Sequence, residues 1–389
     1  MMKYKAIIIT GTEDSGASIV AKKLCAASAD FQIVPVVTTR IKDSYDQENQ
    51  YEYLTKEQFD ALAEKNELLF KIEHQKTSYG IKKDSSKLAK ERNKTPVIVL
   101  SPTDFLCELI KQSRDLFSVF VGTPADILGN RSMGAKETIA SGILEKRKEN
   151  RELALFCTYA LENLDPQKAV ALILALWEYR DNGGIVPRRL IRLAIDCGML
   201  LQGVDDDRKI KGASYDLSLG DEYYYGGQIK TLTDKDPFIC IEPYDYAIVT
   251  SKENANFPRD IAARFDLSVS LFCQGVILSN GPQVDPGFKG KLFCLLFNTS
   301  NAVVVLKHGQ HYATLEFHKL LEPTDPYGGQ YQDKTGIVDY LPSNTLKGAV
   351  NELKKELEEV KSQGQGLQTT ILGMLSILLV IIAILLALR

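Results

Sequence analysis

The hydrophobic residues follow two different patterns along the chain. In the first third, continuous apolar runs such as residues 5–10 (KAIIIT) and 97–100 (VIVL) alternate with helical periodicity, a pattern typical of buried parallel strands covered by helices. From residue 188 onward the apolar runs are short and are separated by Gly, Pro, Asp and Asn, which is typical of all-β domains. The sequence therefore predicts a multidomain protein, with an α/β domain at residues 1–152 and a mainly-β domain at residues 188–341.

A helical connector is predicted between these domains, at residues 153–187. The Asp165-Pro166 pair predicts two short helices, because the residue before a proline disfavours the helical conformation. We expect the apolar face that contains Trp177 to pack between the domains rather than to bind a cofactor. Turn-forming residues at 181–187 mark the domain boundary.

The C-terminal residues 371–388 (ILGMLSILLVIIAILLAL) carry no charge. At ~1.5 Å per residue such a run spans about 27 Å, close to the ~30 Å hydrocarbon core of a bilayer. A buried core helix is the alternative, but core helices usually keep a polar side. We predict a single-pass transmembrane tail anchor at residues 367–389, with the soluble domains in the cytoplasm.

A short coiled coil is predicted just before the anchor, at residues 342–366. Hydrophobic residues recur there with the spacing of an a/d seam: Leu346, Val350, Leu353, Leu357 and Val360. We expect Gly364 and Gly366 to end the seam and to form a flexible neck. A solvated surface helix is the alternative, and the seam by itself suits a dimer as well as a trimer.

Composition and charge narrow the class of function. Apolar residues make up 44% of the 389 residues and charged residues 25%, which excludes wholesale disorder. The formal net charge of -3 gives no general attraction to nucleic acid, and we predict no nucleic-acid partner. The seven cysteines form no C-x-x-C pair, so we expect reduced thiols in a reducing compartment.

The first apolar run leads into a glycine-rich loop and a helical pattern, the context of a phosphate-binding P-loop. The loop keeps three positions of that motif: Gly11, Gly16 and Ser18. Ala17 replaces the lysine, and Glu13-Asp14 adds negative charge where phosphates would lie. The P-loop is therefore predicted to be degenerate, with only its backbone amides left to hold an anion.

Three further motifs follow in order: TTR at 38–40, YEY at 51–53 and SYG at 78–80. Together with the loop, they make residues 3–150 resemble guanylate kinase. The resemblance implies a role in holding a guanine nucleotide for four residues: Thr39, Arg40, Tyr53 and Tyr79.

The departures from guanylate kinase fall on its chemistry. Phe70 stands where the family has a glutamate that reads the guanine, and strand 97–100 lacks the acidic residue that organises magnesium. Arg131 and Arg147 lie in a stretch that resembles a remnant of the basic lid. Because phosphoryl transfer depends on positioning and charge stabilisation, we predict a binding or scaffolding remnant without kinase activity.

Five motifs in the second domain, at 213–223, 241–264, 284–300, 306–317 and 326–336, resemble the dCTP deaminase branch of the dUTPase-like superfamily. The similarity covers about residues 188–340. It implies a distorted β-barrel and a homotrimer whose sites lie between subunits.

The same resemblance implies a site for a nucleoside triphosphate. It places Tyr215 and Asp216 near the triphosphate and its magnesium, and Asp285, in the turn Asp285–Phe288, at the sugar-base end. It also implies a lid that closes over the phosphates: Tyr327, Gln330, Tyr331, Gln332 and Lys334. For each of these motifs, the alternative is a turn or strand that binds no ligand.

Departures again fall on the catalyst. The family's general acid/base glutamate corresponds to Leu295, and no other side chain of KLFCLLFN moves a proton at neutral pH. Where the family has a Gly-Arg-Ser-Ser segment, this chain has LSVS at 267–270. Ser270 is kept and the arginine is lost. No catalytic residue is therefore assigned, except that Asp285 would serve if the chain hydrolyses pyrophosphate.

The histidines do not predict a metal site. His308, His311 and His318 have no cysteine or carboxylate cluster at ligand spacing, and strand alternation would turn His308 and His311 to opposite faces.

Three functions stay open on the sequence alone. The leading hypothesis is a membrane-anchored homotrimeric nucleotide sensor or effector without catalysis, with antiviral defence as a setting that the domain combination suggests. The first alternative is a divergent membrane-bound dCTP deaminase or dUTP pyrophosphatase, and the second is a structural adaptor that binds proteins. We expect no cofactor beyond Mg²⁺ carried with a bound nucleotide.

Overall fold

The structure of the protein is a computed structural model. It describes the following residues: 4–12, 15–42, 50–74, 76–85, 93–100, 106, 109–110, 115–122, 150–162, 165–279, 283–341 and 349–387. Within these ranges, some side chains fall outside the description: 69–70, 72, 74, 349–355 and 380–387. Several sequence-predicted features therefore lie outside the described residues or side chains: Glu13, Asp14, Phe70, Arg131, Arg147, Leu346, Val350 and Leu353.

The N-terminal domain is an α/β structure with two sheets. Its described strands are β1 (Ala6–Gly11), β2 (Phe31–Ile33), β3 (Val36–Thr38), β4 (Tyr51–Tyr53), β5 (Leu68–His74), β6 (Thr77–Lys82), β7 (Thr95–Leu100), β8 (Leu116–Gly122) and β9 (Tyr159–Glu162). A parallel sheet has the order β2-β7-β1-β8-β9, and a second sheet has the order β4-β3-β6-β5. The apolar runs predicted as buried parallel strands are confirmed as β1 and β7, which pair with each other in the larger sheet.

Among the described helices of this domain, α1 (Ala17–Ala27) and α2 (Lys56–Glu64) lie against these sheets. Helix α1 begins directly after Gly16 and buries Val20, Ala21 and Leu24 against the parallel sheet. Helix α2 is started by a capping box of Thr55 and Gln58.

The first of the two predicted connector helices is too long: residues 153–156 are helical, but the helix does not continue to Asp165. Residues 159–162 form β9, which pairs in parallel with β8 at the edge of the sheet. All four β9 residues are buried, so pairing and burial in the sheet outweigh the local helical periodicity. The second helix is confirmed as α3 (Pro166–Glu178), with Asp165 as its N-cap.

Trp177 belongs to the core of the N-terminal domain. Its ring lies edge-on to Phe31 and Phe117, with ring centroids 5.6 Å and 5.3 Å away. The parallel sheet thus offers Trp177 an aromatic surface. Helix α3 itself packs against α1 and against α4 (Arg188–Asp196) of the next domain, as expected for a connector between the domains.

The described strand pairs of the second domain are all antiparallel, and one isolated bridge, Gly290 with Lys334, is parallel. Its strands are β10 (Gly184–Ile185), β11 (Leu200–Gln202), β12 (Ser214–Tyr225), β13 (Gln228–Thr231), β14 (Phe238–Ile241), β15 (Tyr246–Asn256), β16 (Ile261–Leu267), β17 (Val276–Ser279), β18 (Lys289–Asn298), β19 (Val304–Lys307) and β20 (His311–Lys319). Strands β14 and β19 form a two-stranded sheet, and the others form one sheet along the path β10-β20-β12-β15-β18-β17. The mainly-β prediction is confirmed.

One continuous hydrophobic core extends across both domains, and polar contacts reinforce their seam. The core includes Tyr159 of β9 and Leu190 of α4. The backbone N–H of Arg259 donates to the carbonyl of Thr158 over 3.1 Å. Neither domain buries all its apolar surface alone, so we expect the two to fold as one cooperative unit.

Two further helices follow β16, a short helix α5 and a long C-terminal helix α6. Helix α5 (Val269–Phe272) follows β16, and α6 (Ala349–Ala387) runs without a break through Gly364 and Gly366. The predicted glycine break is therefore wrong: two glycines cost about 1 kcal/mol each in a helix interior, and the helix-forming residues around them outweigh that cost. No helix is long and apolar enough to cross a membrane within the part of the chain that the structure describes.

Candidate functional site

Strand β12 carries the first group of predicted site residues. Tyr215 is fully buried, and its hydroxyl donates to Glu253 Oε1 over 3.0 Å. Burial, together with the Glu253 carboxylate, raises the pKa of Tyr215 far above its ordinary value. The assignment of Tyr215 as a ligand contact is therefore corrected: its side chain is part of the core, because alternation along β12 turns it inward.

Asp216, the next residue on β12, faces outward and is surrounded by polar groups. Its carboxylate lies 3.0 Å from Lys211 Nζ and 3.4 Å from His311 Nε2. Thr314 Oγ1 on β20 donates to Asp216 Oδ1 over 3.4 Å, and Asp266 on β16 is in register with Thr314. The cluster offers carboxylates for a hard cation and N–H donors for phosphate oxygens.

Sequence analysis missed most of this cluster. Asp266 is distant from Asp216 along the chain, and the antiparallel pairing of β12, β20 and β16 brings the two to one face. Lys211 is close to Asp216 in sequence and lies just before β12. His311, for which the sequence predicts no metal site, lies beside Asp216. Among the described residues, no group of three His, Cys, Asp or Glu side chains is arranged to hold a metal ion.

Glu253 is a buried carboxylate that sequence analysis also missed. It accepts hydrogen bonds from the Tyr215 hydroxyl and, at Oε2, from the backbone N–H of Ser218 over 3.0 Å. Lys209 Nζ lies 3.8 Å from its Oε1. A carboxylate with no exposed surface is unavailable to a ligand, so Glu253 holds β12 on β15 and thereby positions Asp216.

The Asp285–Phe288 segment forms the tight turn that the sequence predicts. The N–H of Phe288 donates to the carbonyl of Asp285 over 3.2 Å, and Gly287 has φ +76°, which favours glycine. Asp285 is half-buried, and Gln283 Nε2 donates to its Oδ1 over 2.8 Å. The Asp285 carboxylate is therefore held in place beside the turn with one oxygen engaged.

The predicted lid is docked on this turn. The N–H of Tyr327 donates to the carbonyl of Pro286 over 2.9 Å, and the Tyr327 ring lies edge-on to Phe288 at 5.5 Å. Gln332 fixes the other end of the lid, since its Nε2 donates to Gly287 O and its Oε1 accepts from the N–H of Lys289, both over 2.9 Å. Tyr327 and Gln332 therefore hold the lid in place.

The remaining lid residues divide into packed and accessible groups. Tyr331 lies 5.5 Å from Tyr340, which itself stacks on Phe293 of β18 at 4.1 Å. Gln330 is exposed, and Lys334 Nζ is 3.9 Å from Asp339 Oδ1. Gln330 and Lys334 are thus the lid residues whose polar ends are accessible to phosphate.

The structure does not join every predicted residue into one cluster. Ser270 is exposed on α5, with its hydroxyl 3.3 Å from that of Ser268. Among the described residues, no hydrogen bond or ion pair links Asp216 to Asp285, to Ser270 or to the lid. The candidate site therefore consists of three separate parts on one chain.

Strand β18 runs from the turn past the position of the missing acid. Leu295 is half-buried and pairs with Ile248 and Ser279 on the neighbouring strands. Burial raises the pKa of the adjacent Cys294 thiol well above its ordinary value. Neither side chain transfers protons at neutral pH, which agrees with the predicted loss of the general acid/base.

In the N-terminal domain, the P-loop residues lie at the end of β1 and the start of α1. Gly16 has φ +76° and caps α1 without a side-chain hydrogen bond. A side chain at Gly11 would place its Cβ 2.1 Å from the carbonyl of Val121. Ala17, the first residue of α1, lies where a lysine would be needed, so the start of the helix lacks that cation. Ser18 Oγ donates to Gln50 Oε1 over 3.2 Å.

The second sheet assembles the predicted base-binding residues. The guanidinium of Arg40 lies 4.8 Å from the ring centroid of Tyr51 and 6.0 Å from that of Tyr53. Tyr79 on β6 pairs with Thr38 of β3, directly before Thr39 and Arg40. Gln50 lies directly before β4 and contacts Ser18 at the start of α1. The second sheet therefore lies next to the P-loop.

The folds and sites define a fusion of two domain classes that handle nucleotides. A family model described as dCTP deaminase-like matches residues 185–320, and one described as guanylate kinase matches residues 3–170. The dCTP deaminase of Pyrococcus horikoshii is 33% identical over 133 residues, which cover 34% of this chain and 84% of that protein. The dCTP deaminase of Thermococcus kodakarensis is 37% identical over 127 residues, covering 32% and 81%.

The chain therefore belongs to the dCTP deaminase-like family, and its N-terminal part is guanylate kinase-like, since residues 3–170 match that family model. A crystal structure of guanylate kinase from Anaplasma phagocytophilum aligns with 46% of this chain and 86% of that chain, at 16% identity and a TM-score of 0.31.

Proposed function

We propose that this protein is a nucleotide-binding sensor whose deaminase-like domain holds a deoxynucleoside triphosphate without converting it. The observation that carries the proposal is the lid docked on the Asp285–Phe288 turn, next to a strand that has Leu295 where the family has its acid/base. Asp285 and Asp216 would accept Mg²⁺ carried by the nucleotide, and Lys334 would approach its phosphates. Loss of a general acid/base lowers the rate of reaction about 10²–10⁴-fold. The protein would therefore still bind the nucleotide but would not convert it.

The experiment measures binding and turnover on the same full-length protein. Calorimetry with dCTP and dUTP in the presence of Mg²⁺ should show saturable binding, and chromatography of the same samples should show unchanged nucleotide. Asp285→Asn should weaken binding, whereas Asp234→Asn, at an exposed aspartate outside the candidate site, should leave it unchanged. Conversion of dCTP or dUTP that Asp285→Asn abolishes would establish the hydrolase alternative. Absence of binding by any nucleotide would favour the adaptor.

The assembly and the location are part of the same proposal. Homotrimers would unite the three separate parts of the site across subunits, and α6 exposes an apolar edge, with Leu357 54% and Val360 63% accessible, that suits a neck between chains. The uncharged residues 371–388 support a membrane anchor, with the other domains in the cytoplasm and antiviral defence as one setting. Flotation of the full chain with liposomes, compared with a chain ending at residue 362, tests the anchor, and sedimentation of the shorter chain tests the trimer.

A further inference from the structure

The docked lid touches the guanylate kinase domain of its own chain. The guanidinium of Arg151, in the helical stretch 150–156, forms an ion pair with the carboxylate of Asp333 at the end of the lid. Their side chains are 40% and 33% accessible. The contact therefore lies at the edge of the seam, where it can open without unfolding the core.

Asp333 is also fixed to the turn side of the seam. Its backbone N–H donates to the carbonyl of Lys289 over 2.7 Å, and its φ of +63° is a left-handed conformation that Asp tolerates better than most residues. Gln332, the preceding residue, bonds to both Gly287 and Lys289. A short chain of contacts thus connects the Asp285–Phe288 turn, the lid and Arg151.

Lys289 is a buried cation at the same seam. The residue is buried, and within the described part of the chain its Nζ has no hydrogen-bond partner. It lines a cavity of about 10 Å³ at the seam, together with Cys157, Thr158 and Arg259, which is room for about one water molecule. Burial lowers the pKa of Lys289, and the Asp333 carboxylate partly offsets this effect.

We propose that Arg151 and Asp333 form an interdomain latch through which the guanylate kinase domain controls the lid of the deaminase-like site. The latch stabilises the docked lid, and so it increases the affinity of that site for a nucleoside triphosphate. By thermodynamic linkage, a bound triphosphate that holds the lid closed strengthens the latch by the same factor. The proposal rests on the proposed function for its ligand, but the latch itself is a property of the nucleotide-free chain.

The test is a double-mutant cycle on the full-length protein with Arg151→Ala, Asp333→Asn and their combination. Asn at 333 keeps the left-handed backbone conformation and removes the charge. Hydrogen exchange of residues 327–334 should be faster in each variant, and the combination should add little to either change. The Kd for dCTP with Mg²⁺ should rise about 1.5- to 5-fold, the range of a partly exposed ion pair. Arg192→Ala breaks an ion pair with Asp207 inside the deaminase-like domain and should leave both readouts unchanged.

Two results would overturn the latch: exchange in the lid that matches the wild type, or effects of the two substitutions that add fully. If the wild-type protein binds no dCTP, dUTP or other nucleotide, the sensor proposal fails by itself, and the exchange measurement still decides the latch. If binding is present but unaffected by Arg151→Ala while lid exchange is also unaffected, the latch fails and the sensor proposal stands.

Discussion

The hydroxyl of Tyr159 donates a hydrogen bond of 2.5 Å to Asp260 Oδ2, and this bond joins the parallel sheet of one domain to the mainly-β domain. Both residues are fully buried, and Lys319 Nζ lies 3.1 Å from the same carboxylate oxygen. Burial raises the pKa of Tyr159 well above its ordinary value, so the phenol stays protonated as the donor. The two domains therefore share a buried charged network as well as a hydrophobic core.

Tyr159→Phe should lower the free energy of unfolding by about 1.5–3 kcal/mol, the contribution of a hydrogen bond to a charged group. The measurement is urea unfolding followed by the fluorescence of Trp177, the one tryptophan of the chain. Tyr244→Phe is the matched control because Tyr244 is 51% exposed. Equal stability of the two variants would show that the seam does not depend on this bond.

Glu253→Gln should lower the free energy of unfolding by about 1–3 kcal/mol. Both oxygens of the carboxylate accept hydrogen bonds, whereas an amide side chain has only one oxygen that can accept. One of the partners, the hydroxyl of Tyr215 or the N–H of Ser218, would then lose its acceptor. Glu316→Gln, at a side chain that is 43% accessible, should change the unfolding free energy by at most about 0.5 kcal/mol. If Glu253→Gln changes the free energy of unfolding as little as Glu316→Gln does, Glu253 does not stabilise the packing of β12 on β15.

Gly287→Ala should displace the lid. A Cβ at residue 287 would lie 2.6 Å from the Cβ of Pro326, at a backbone φ of +76°. Gly309→Ala is a close control, because Gly309 has φ +75° and nothing within 4 Å of its Cβ position. Gly309→Ala should lower the free energy of unfolding by about 1–2 kcal/mol, the cost of a left-handed backbone conformation at a residue other than glycine. Gly287→Ala should lower it by about 1–3 kcal/mol more, because of the steric clash. Limited proteolysis of residues 327–334 should increase only in Gly287→Ala.

Lys289→Met should stabilise the protein near neutral pH. Burial lowers the pKa of Lys289 from 10.5 to about 8, so the folded state binds its proton less tightly than the unfolded state does. The contribution of Lys289 to the free energy of unfolding therefore falls as the pH drops from about 10.5 to about 8, and stays constant below that.

The difference between the wild type and Lys289→Met should thus be about 3 kcal/mol below pH 8 and should shrink toward pH 10.5. Lys307→Met replaces an exposed lysine of β19 and corrects for the general effect of removing a lysine. A difference that does not vary with pH would contradict the unfavourable burial of the ammonium group.

The sequence by itself determined the elements whose hydrophobic pattern is satisfied locally. The run that forms β1, the glycine loop before α1 and the Asp285–Phe288 turn were all predicted, because burial on both faces, a positive φ or a tight turn restricts the residue types at those positions. The resemblance to the two families, and not the local pattern, predicts that Leu295 and Ala17 stand where those families have catalytic groups.

Tertiary structure decided the features that depend on partners far away in the chain. Residues 159–162 have helical periodicity, but pairing with β8 makes them a strand. Tyr215 and Gln332 carry polar groups that suit a ligand, yet Glu253 and Gly287 engage those groups inside the fold. The ion pair of Arg151 with Asp333 joins residues of different domains. No local pattern encodes such pairs, because each one exists only when the packed core brings both partners to the same seam.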